Sequence, residues 1–446
     1  MAAHPTAGHT NGLRAIAARL LEMGHEVAFA ITRLPIPFAE HWPEPMRTAA
    51  GLPQAIARDG LRLVPLRASP AVLWYGLRLP RARGFKELNL ALRLFTSGID
   101  AQARRIADEV KASDIDVVVG DYLMPGAWLG ARLAGRPFVA LYHSGLPFAV
   151  EGAAPFGSSL PDDAPRDEAW MRDEEEARAL GHVFDERLAR AAARLGARLA
   201  FEGFMAAPVS EDLNLLATTA ELEPGLRPLR GRFEMTGPCL PRASNADQAS
   251  PALDVIRPGT RYVYVSLGTV FNGQPRVFDT ILEGLARHDV QVILSGGESY
   301  EHLKARVGPK AAHVFQRVPQ VPLLRKVDFV VTHGGNNTVQ ETLAAGRPMV
   351  VVPFGGDQLA NARRVQRLGV GVAVLPAILE AGAIAEAFAR VSEADVVERA
   401  KRLASSLQGV DGADRAAHAV LRLVSGGSVS TEHHLPKARS GSGGAS

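Results

Sequence analysis

The stretch Thr332-His-Gly-Gly-Asn-Asn-Thr338-Val-Gln-Glu341 holds the densest chemistry in the chain. It follows an apolar run and opens a helical one, with Val339 and Leu343 on one face and Gly346 and Pro348 as the stop. A helix N-terminus offers unpaired N–H groups and the positive end of its dipole, and the two together bind anions. Gly334 and Gly335 let the backbone come close to such an anion, and His333, Asn337 and Thr338 add side-chain donors. That combination is a pyrophosphate cradle. Thr338 and Glu341 also stand at capping-box spacing, a role open to any helix, but capping accounts for neither His333 nor the glycine pair. A second glycine turn, Ser266-Leu-Gly268-Thr269, follows the apolar run Tyr262 to Val265 and can reach the same phosphates. Two further groups flank the motif. Arg317-Val318-Pro319-Gln320 precedes the strand ending at Thr332, and Pro353-Phe-Gly-Gly-Asp357-Gln358 follows the next strand. Asp357 and Gln358 suit sugar hydroxyls, although Asp357 could equally cap the helix beginning near Leu359.

Groups so scattered need a scaffold that delivers several loops to one place. Short β-branched runs alternate with longer helical patterns throughout, as in parallel sheets covered by helices on both faces. In the first half, Leu13, Ile16, Ala17, Leu20 and Leu21 keep helical spacing up to Gly24, and Val27 to Ile31, Ile115 to Val119 and Phe138 to Tyr142 read as strands. A helix over Ala127 to Leu133 separates the last two. In the second half the strands are Tyr262 to Ser266, Gln291 to Leu294, Asp328 to Thr332 and Met349 to Val352. Each motif then leaves the carboxyl end of a strand, where open α/β sheets bind ligands. Pro238, Pro241, Pro251 and Pro258 mark a linker over 238–259, between a first domain of 1–237 and a second of 260–425. Residues 151–200 look helical with no chemical signature, and the Ser/Gly-rich tail 426–446 is expected to be disordered. Only Met1 to Pro5 precede the first helix signal, so either the first strand is very short or the true start lies upstream.

With 446 residues the chain suits two domains, and 47% hydrophobic with 22% charged residues is the balance of a soluble globular protein. The net charge of +3 is not gathered into a basic stripe, so no nucleic-acid partner is expected. The single cysteine, Cys239, excludes an intrachain disulfide and a cysteine metal site. No apolar run approaches the ~20 residues of a membrane span and no signal peptide is visible, so the expected place is the cytoplasm.

The span Arg317 to Asn361 resembles the donor-binding signature of the UDP-glycosyltransferase superfamily, glycosyltransferase family 1. The resemblance covers about residues 1–425 and implies the GT-B fold, two Rossmann-like doubly wound domains of α/β class facing a cleft. The first domain would bind the acceptor and the second the nucleotide-sugar donor. Within the family pattern, His333, Asn337 and Thr338 match the residues that hold the diphosphate, with Gly335 and Asn336 between them, and Glu341 matches the glutamate on the ribose hydroxyls. Asp357 and Gln358 match the pair on the hexose, and Gln320 lies beside the nucleobase. Plant members carry tryptophans where this chain has Arg317 and Asn336, and in this it looks more like bacterial natural-product and macrolide transferases. A guanidinium can stack on a base, so both UDP and dTDP remain open as carriers.

Gly8-His9-Thr-Asn-Gly12-Leu13 stands where the family has Gly-His-x-x-Pro, with Gly12 in place of the proline. A hydroxyl acceptor needs its proton removed during attack, and a neutral imidazole with an ordinary pKa of ~6.5 can take it. A nearby helix N-terminus would favour that neutral form. Alone, a loop histidine is as readily a solvated side chain. With the family match, His9 becomes the expected general base. Asp121, after the strand from Ile115 to Gly120 and at the family's place for a partner aspartate, would fix the tautomer and stabilise the imidazolium. As a cap for the helix from Pro125 it would sit several residues too early. His143 is a rival base or a wall of the acceptor cleft. Asp114-Ile-Asp116 precedes its strand and so lies at the wrong end for a ligand.

The expected reaction is a single in-line displacement that inverts the anomeric carbon. It needs no cofactor and no metal, because the helix terminus and His333 would stabilise the leaving diphosphate. UDP-glucose is the favoured donor, since a deoxysugar would leave Asp357 or Gln358 unpaired. The acceptor would be a small apolar molecule, attacked at a hydroxyl or nucleophilic carbon. Phe38, Trp42, Trp74, Tyr75 and Phe95 either wall its pocket or belong to the core. Membrane insertion is not expected, and the oligomeric state stays open. Rival readings are a sugar-nucleotide epimerase on the same fold, which needs carboxylates around the sugar ring, and a non-catalytic partner of another transferase. A nicotinamide-dependent dehydrogenase lacks its Gly-x-Gly-x-x-Gly after the first strand.

Overall fold

The computed structural model describes residues 1–34, 44–143, 146–147, 152–198, 203–206, 209–223, 232–242, 250–308 and 311–426. Thirteen strands form two sheets, every pairing parallel among the described residues. The first sheet contains β1 (Ala2–Ala3), β2 (Ala28–Arg33), β3 (Arg62–Arg67), β4 (Val118–Asp121), β5 (Phe138–Tyr142), β6 (Leu213–Leu216) and β7 (Phe233–Met235), in the order β3-β2-β1-β4-β5-β6-β7. The second contains β8 (Tyr262–Ser266), β9 (Gln291–Ser295), β10 (Ala312–Phe315), β11 (Phe329–Thr332), β12 (Met349–Val351) and β13 (Gly371–Ala373), in the order β10-β9-β8-β11-β12-β13. Both follow the doubly wound pattern, whose strand order reverses beside its first strand. The two switch points lie between β1 and β4 and between β8 and β11.

Each sheet is buried on both faces, which explains strands that are apolar throughout instead of alternating. Val118 packs on one side of the first sheet and Val119 on the other. Tyr264 and Val265 divide in the same way in the second. In the described residues β1 has two residues: Ala2 and Ala3 pair with Ala30 and Ile31 of β2, and Ala2 also with Gly120 of β4. Small residues fit there because the strand is enclosed on every side. The helix Ala7–Glu22 buries Leu13, Ile16, Ala17 and Leu20, and the region 151–200 contains a long helix, Glu168–Leu195, capped by Asp167.

The chain crosses back at its end. The helix Gly412–Val424, inside the stretch expected to form the second domain, packs Ala413, Ala416, Ala417 and Val420 into the core beneath the first sheet. Arg19 pairs with Asp411 at 3.0 Å, and Arg422 with Glu234 at 2.7 Å. Cys239 is buried, and burial pushes its thiol up to about 12. Phe38, Trp42 and the tail 427–446 lie outside the described residues. No described helix is long and apolar enough to cross a membrane.

Candidate active site

The switch point of the first sheet places His9 and Asp121 together. His9 lies in the first turn of the helix that follows β1, and Asp121 is the last residue of β4. Because β1 and β4 are neighbours, residues 112 positions apart come within hydrogen-bond reach, and His9 donates from Nδ1 to Asp121 Oδ2. The other carboxylate oxygen accepts the Leu123 N–H at 2.9 Å, so Asp121 closes a turn of its own and does not cap the helix Pro125–Ala134. Asp121 is fully buried. Burial alone would raise its pKa, but the charges of His9 and His143 and the hydrogen bond from His9 prevail and hold it well below the ordinary carboxylate range. An ionised carboxylate only accepts, so Nδ1 of His9 carries a proton, and in the neutral imidazole Nε2 is then the acceptor.

Two more histidines complete the surroundings. His143, just past β5, places Nε2 3.2 Å from Asp121 Oδ1, close enough for charge attraction but poorly aligned for a hydrogen bond. Burial lowers its pKa and the Asp121 charge raises it, with a net rise. His4 donates from Nε2 to the Leu123 carbonyl at 2.9 Å, and burial pushes it down to about 4, so it is neutral near pH 7. Nothing in the sequence singled out His4; its signal is its place at the end of β1. Phe95 lies 4.7 Å from the His9 ring and 4.8 Å from that of His4, so this predicted aromatic does stand beside the candidate base. Trp74 is exposed and stacks edge-on with Tyr75. Ligand atoms of His9, Asp121 and His143 lie within 4.8 Å of one another, near enough to hold an ion, although His9 spends Nδ1 on Asp121.

The second switch point gathers the phosphate-binding candidates. Ser266 ends β8 and Thr332 ends β11, and the two are register partners. The imidazole of His333 lies between two glycines. A Cβ on Gly268 would meet it at 2.5 Å, and so would one on Gly335. Gly268 and Gly334 have φ of +71° and +86°, so the first combines a conformation unsuited to side chains with the need for space. Burial lowers His333 to about 4, so its imidazole is neutral near pH 7. The following helix runs Asn336–Ala344 with Gly335 as N-cap, so Thr338 lies inside it and no capping box forms. Thr338 and Glu341 instead receive the Gln320 amide at 3.1 and 2.6 Å, while Gln320 accepts the Tyr264 hydroxyl at 3.0 Å. Burial raises Glu341 to about 7, against the Gln320 hydrogen bond.

The remaining predicted residues divide between partly exposed ones and ones committed to hydrogen bonds within the chain. Asn337 and Thr269 are partly exposed, as is Val318, and Ser266 Oγ accepts the Gly268 N–H at 3.3 Å. Asn336 donates across to the His143 carbonyl at 2.5 Å, and Arg317 to Thr48 Oγ1 at 2.9 Å. Both are thus ties between the halves of the chain. Asp357 opens the helix Asp357–Arg367, with Gly356 as N-cap, so Asp357 does not cap it. Gln358 Oε1 accepts the Phe354 N–H at 2.9 Å. A cavity of about 560 Å³ lies between the halves, walled by Leu146, Phe156, Trp170 and Met205 on one side and Arg363 and Arg364 on the other. Of the aromatics expected in an acceptor pocket, the described Trp74, Tyr75 and Phe95 do not line it.

Residues 245–416 match the family described as UDP-glucoronosyl and UDP-glucosyl transferase. The uncharacterised UDP-glucosyltransferase YojK of Bacillus subtilis is 27% identical over 327 residues, spanning 72% of this chain and 76% of its own. The 4'-demethylrebeccamycin synthase of Lentzea aerocolonigenes is 28% identical, spanning 83% of this chain and 86% of its own. Among solved structures, the glycosyltransferase of kitacinnamycin superposes with a TM-score of 0.68 at 23% identity, over 95% of this chain and 98% of that one.

Proposed function

We propose that the chain, a glycosyltransferase of the GT-B fold, moves a hexose, glucose foremost, from a UDP- or dTDP-linked donor to a small apolar natural-product acceptor. The acceptor is attacked at a hydroxyl or nucleophilic carbon and the anomeric centre inverts. His9 takes the acceptor's proton at Nε2 while Asp121 holds its Nδ1–H and stabilises the imidazolium. The diphosphate leaves toward the N-terminus of the helix Asn336–Ala344 and the neutral His333 N–H, donors fixed before charge develops. Glu341 and Gln320 serve the nucleoside, and Asp357 and Gln358 the sugar.

The observation that carries this reading is the bond between the halves at Asn336. From the first turn of the helix at the phosphate cradle, Asn336 donates to the His143 carbonyl at 2.5 Å, and His143 in turn lies 3.2 Å from the Asp121 carboxylate that His9 bonds. A donor seated at that helix terminus therefore faces the candidate base. The natural-product acceptor is supported by the 4'-demethylrebeccamycin synthase likeness and by the large, partly apolar cavity walled by Leu146, Phe156 and Trp170. The test is transfer itself. Purified protein is mixed with UDP-glucose or dTDP-glucose and a panel of phenolic and polyketide acceptors, and hexose adducts are read by mass spectrometry. An adduct that disappears in His9→Ala is expected. Adduct formation at undiminished rate in His9→Ala would remove the base from the mechanism.

A further inference from the structure

The helix Gly84–Phe95 belongs to the first half of the chain, yet its first turn docks on the sugar-side loop of the second half. The Gly84 N–H donates to the Phe354 carbonyl at 3.2 Å, and Gly84 and Gly355 form an isolated parallel bridge. Arg83, just before the helix, lays its guanidinium 4.7 Å from the centre of the Phe354 ring and donates to Gln274. Behind this contact stands Glu87. It is 8% exposed, and its Oε2 has no hydrogen-bond partner among the described residues. That oxygen points at the glycine pair before Asp357: a Cβ on Gly355 would meet it at 3.1 Å, and one on Gly356 at 2.7 Å. Only glycines allow the approach.

We propose that Glu87 is a donor-specificity residue, a carboxyl from the acceptor-side half that reads a hydroxyl of the donor hexose beside Asp357. This rests on the reading that Asp357 and Gln358 hold that sugar. A buried carboxyl oxygen without a partner is rare, because leaving it unmade costs free energy that a ligand hydroxyl would recover. Burial, with the nearby Asp357 charge added, raises Glu87 to about 8, against the attraction of Arg83. It therefore keeps its proton near neutrality and can donate through O–H to one sugar oxygen while its other oxygen accepts. Two carboxyls side by side thereby divide their tasks: Asp357 accepts, and Glu87 donates. Because the halves of the chain contribute one each, the sugar is fully read only when they are closed on one another, the state that shields the donor from water. The opposite end of the same helix places Phe95 against His9, so one rigid element spans from sugar to base.

The experiment measures dissociation constants by calorimetry for UDP and for UDP-glucose, in the wild type, Glu87→Ala and Glu87→Gln, with thermal melting to confirm folding. Loss of one such hydrogen bond predicts about tenfold weaker UDP-glucose binding in Glu87→Ala. UDP, which lacks the sugar, should change less than twofold. Glu87→Gln, which retains an N–H donor and an acceptor, should bind UDP-glucose within about threefold of wild type. In the same variants, wild-type discrimination between UDP-glucose and its C4 epimer or its pentose analogue should shrink for the one hydroxyl that Glu87 reads. Equal weakening of UDP and UDP-glucose would overturn the proposal, since it would make Glu87 only a brace between the halves. Unchanged binding of both would overturn it too. A wild type that binds neither ligand would overturn the donor site itself and this inference with it, a result distinct from either of those.

Discussion

Asp121→Asn is the substitution that most directly tests the proposed proton transfer. The side chains are nearly the same size, and the amide oxygen can still accept the Leu123 N–H, so the turn after β4 survives. Two things are lost. The amide N–H₂ facing His9 Nδ1 demands an acceptor there, which moves the imidazole proton to Nε2, the atom that must receive the acceptor's proton. The charge that stabilises the imidazolium also disappears. At an effective dielectric constant of about 20 and a separation of ~4 Å, that attraction is about 4 kcal/mol. A loss of this size slows transfer about 10³-fold, and the wrong tautomer adds to it. Because neither His9 nor Asp121 touches the nucleotide in this mechanism, the donor KM should stay within about twofold. Initial rates at saturating acceptor, followed by released UDP from pH 6 to pH 9, supply the measurement. A fall of less than about tenfold in kcat, at any pH in that range, would refute the argument that Asp121 directs the proton.

Other expectations follow from the same geometry. Gly268→Ala places a methyl 2.5 Å from the His333 ring at a φ of +71°, so the ring must leave its place; calorimetry should show UDP affinity at least about tenfold lower, with His9-dependent chemistry intact once donor is saturating. Glu87→Gln should gain stability over wild type as pH rises. The folded pKa is raised from 4.5 to about 8, so the unfolded chain releases the proton first and wild-type stability falls across that window. At about 1.36 kcal/mol per pH unit the full gap is on the order of 5 kcal/mol, read as a difference in urea midpoints that is absent below pH 4.5. Dialysis against EDTA should leave transfer unchanged, because in the proposed mechanism His333 and a helix terminus meet the diphosphate, whereas Zn²⁺ should inhibit by bridging His9, Asp121 and His143. Relief of inhibition by His143→Ala, measured on the same product assay, checks that the ion sits there.

Much of the central sheet and of both switch points was legible because the signals are local. Phe138–Tyr142 and Tyr262–Ser266 are strands at their expected bounds, since both are unbroken apolar runs between turns. β4 begins at Val118, three residues later than the pattern from Ile115 suggested, and runs through Asp121, so the acid sits on the strand's end instead of after it. The outer strands left no mark. β3 reads Arg62–Arg67 with Pro65 within it, and β7 and β13 are three residues each. Sheet edges are specified by pairing with a neighbour, which a window of sequence does not contain. The helix Gly412–Val424 was equally hidden in its allegiance. An amphipathic face shows that a core awaits it, but not which one.

The site divides along the same line. Residues that work through a local device, a helix N-terminus or a glycine that admits an imidazole, announced themselves by type and spacing. Residues that work by meeting a distant part of the chain did not. Asn336 and Arg317 sit inside the motif that suggested donor contacts, yet both reach across to the first half. Glu87 is the sharper case. Within its own helix it is one acid in an amphipathic pattern, and its significance depends on Gly355 and Gly356, which become its neighbours only when the two sheets close. Closure of this kind selects side chains in pairs: glycines on one wall leave the space, and a long polar residue on the other fills it. A buried carboxyl oxygen left unpaired beside such a glycine pair is thus evidence about the ligand, because the cost of leaving it unmade is recovered when a hydroxyl reaches it.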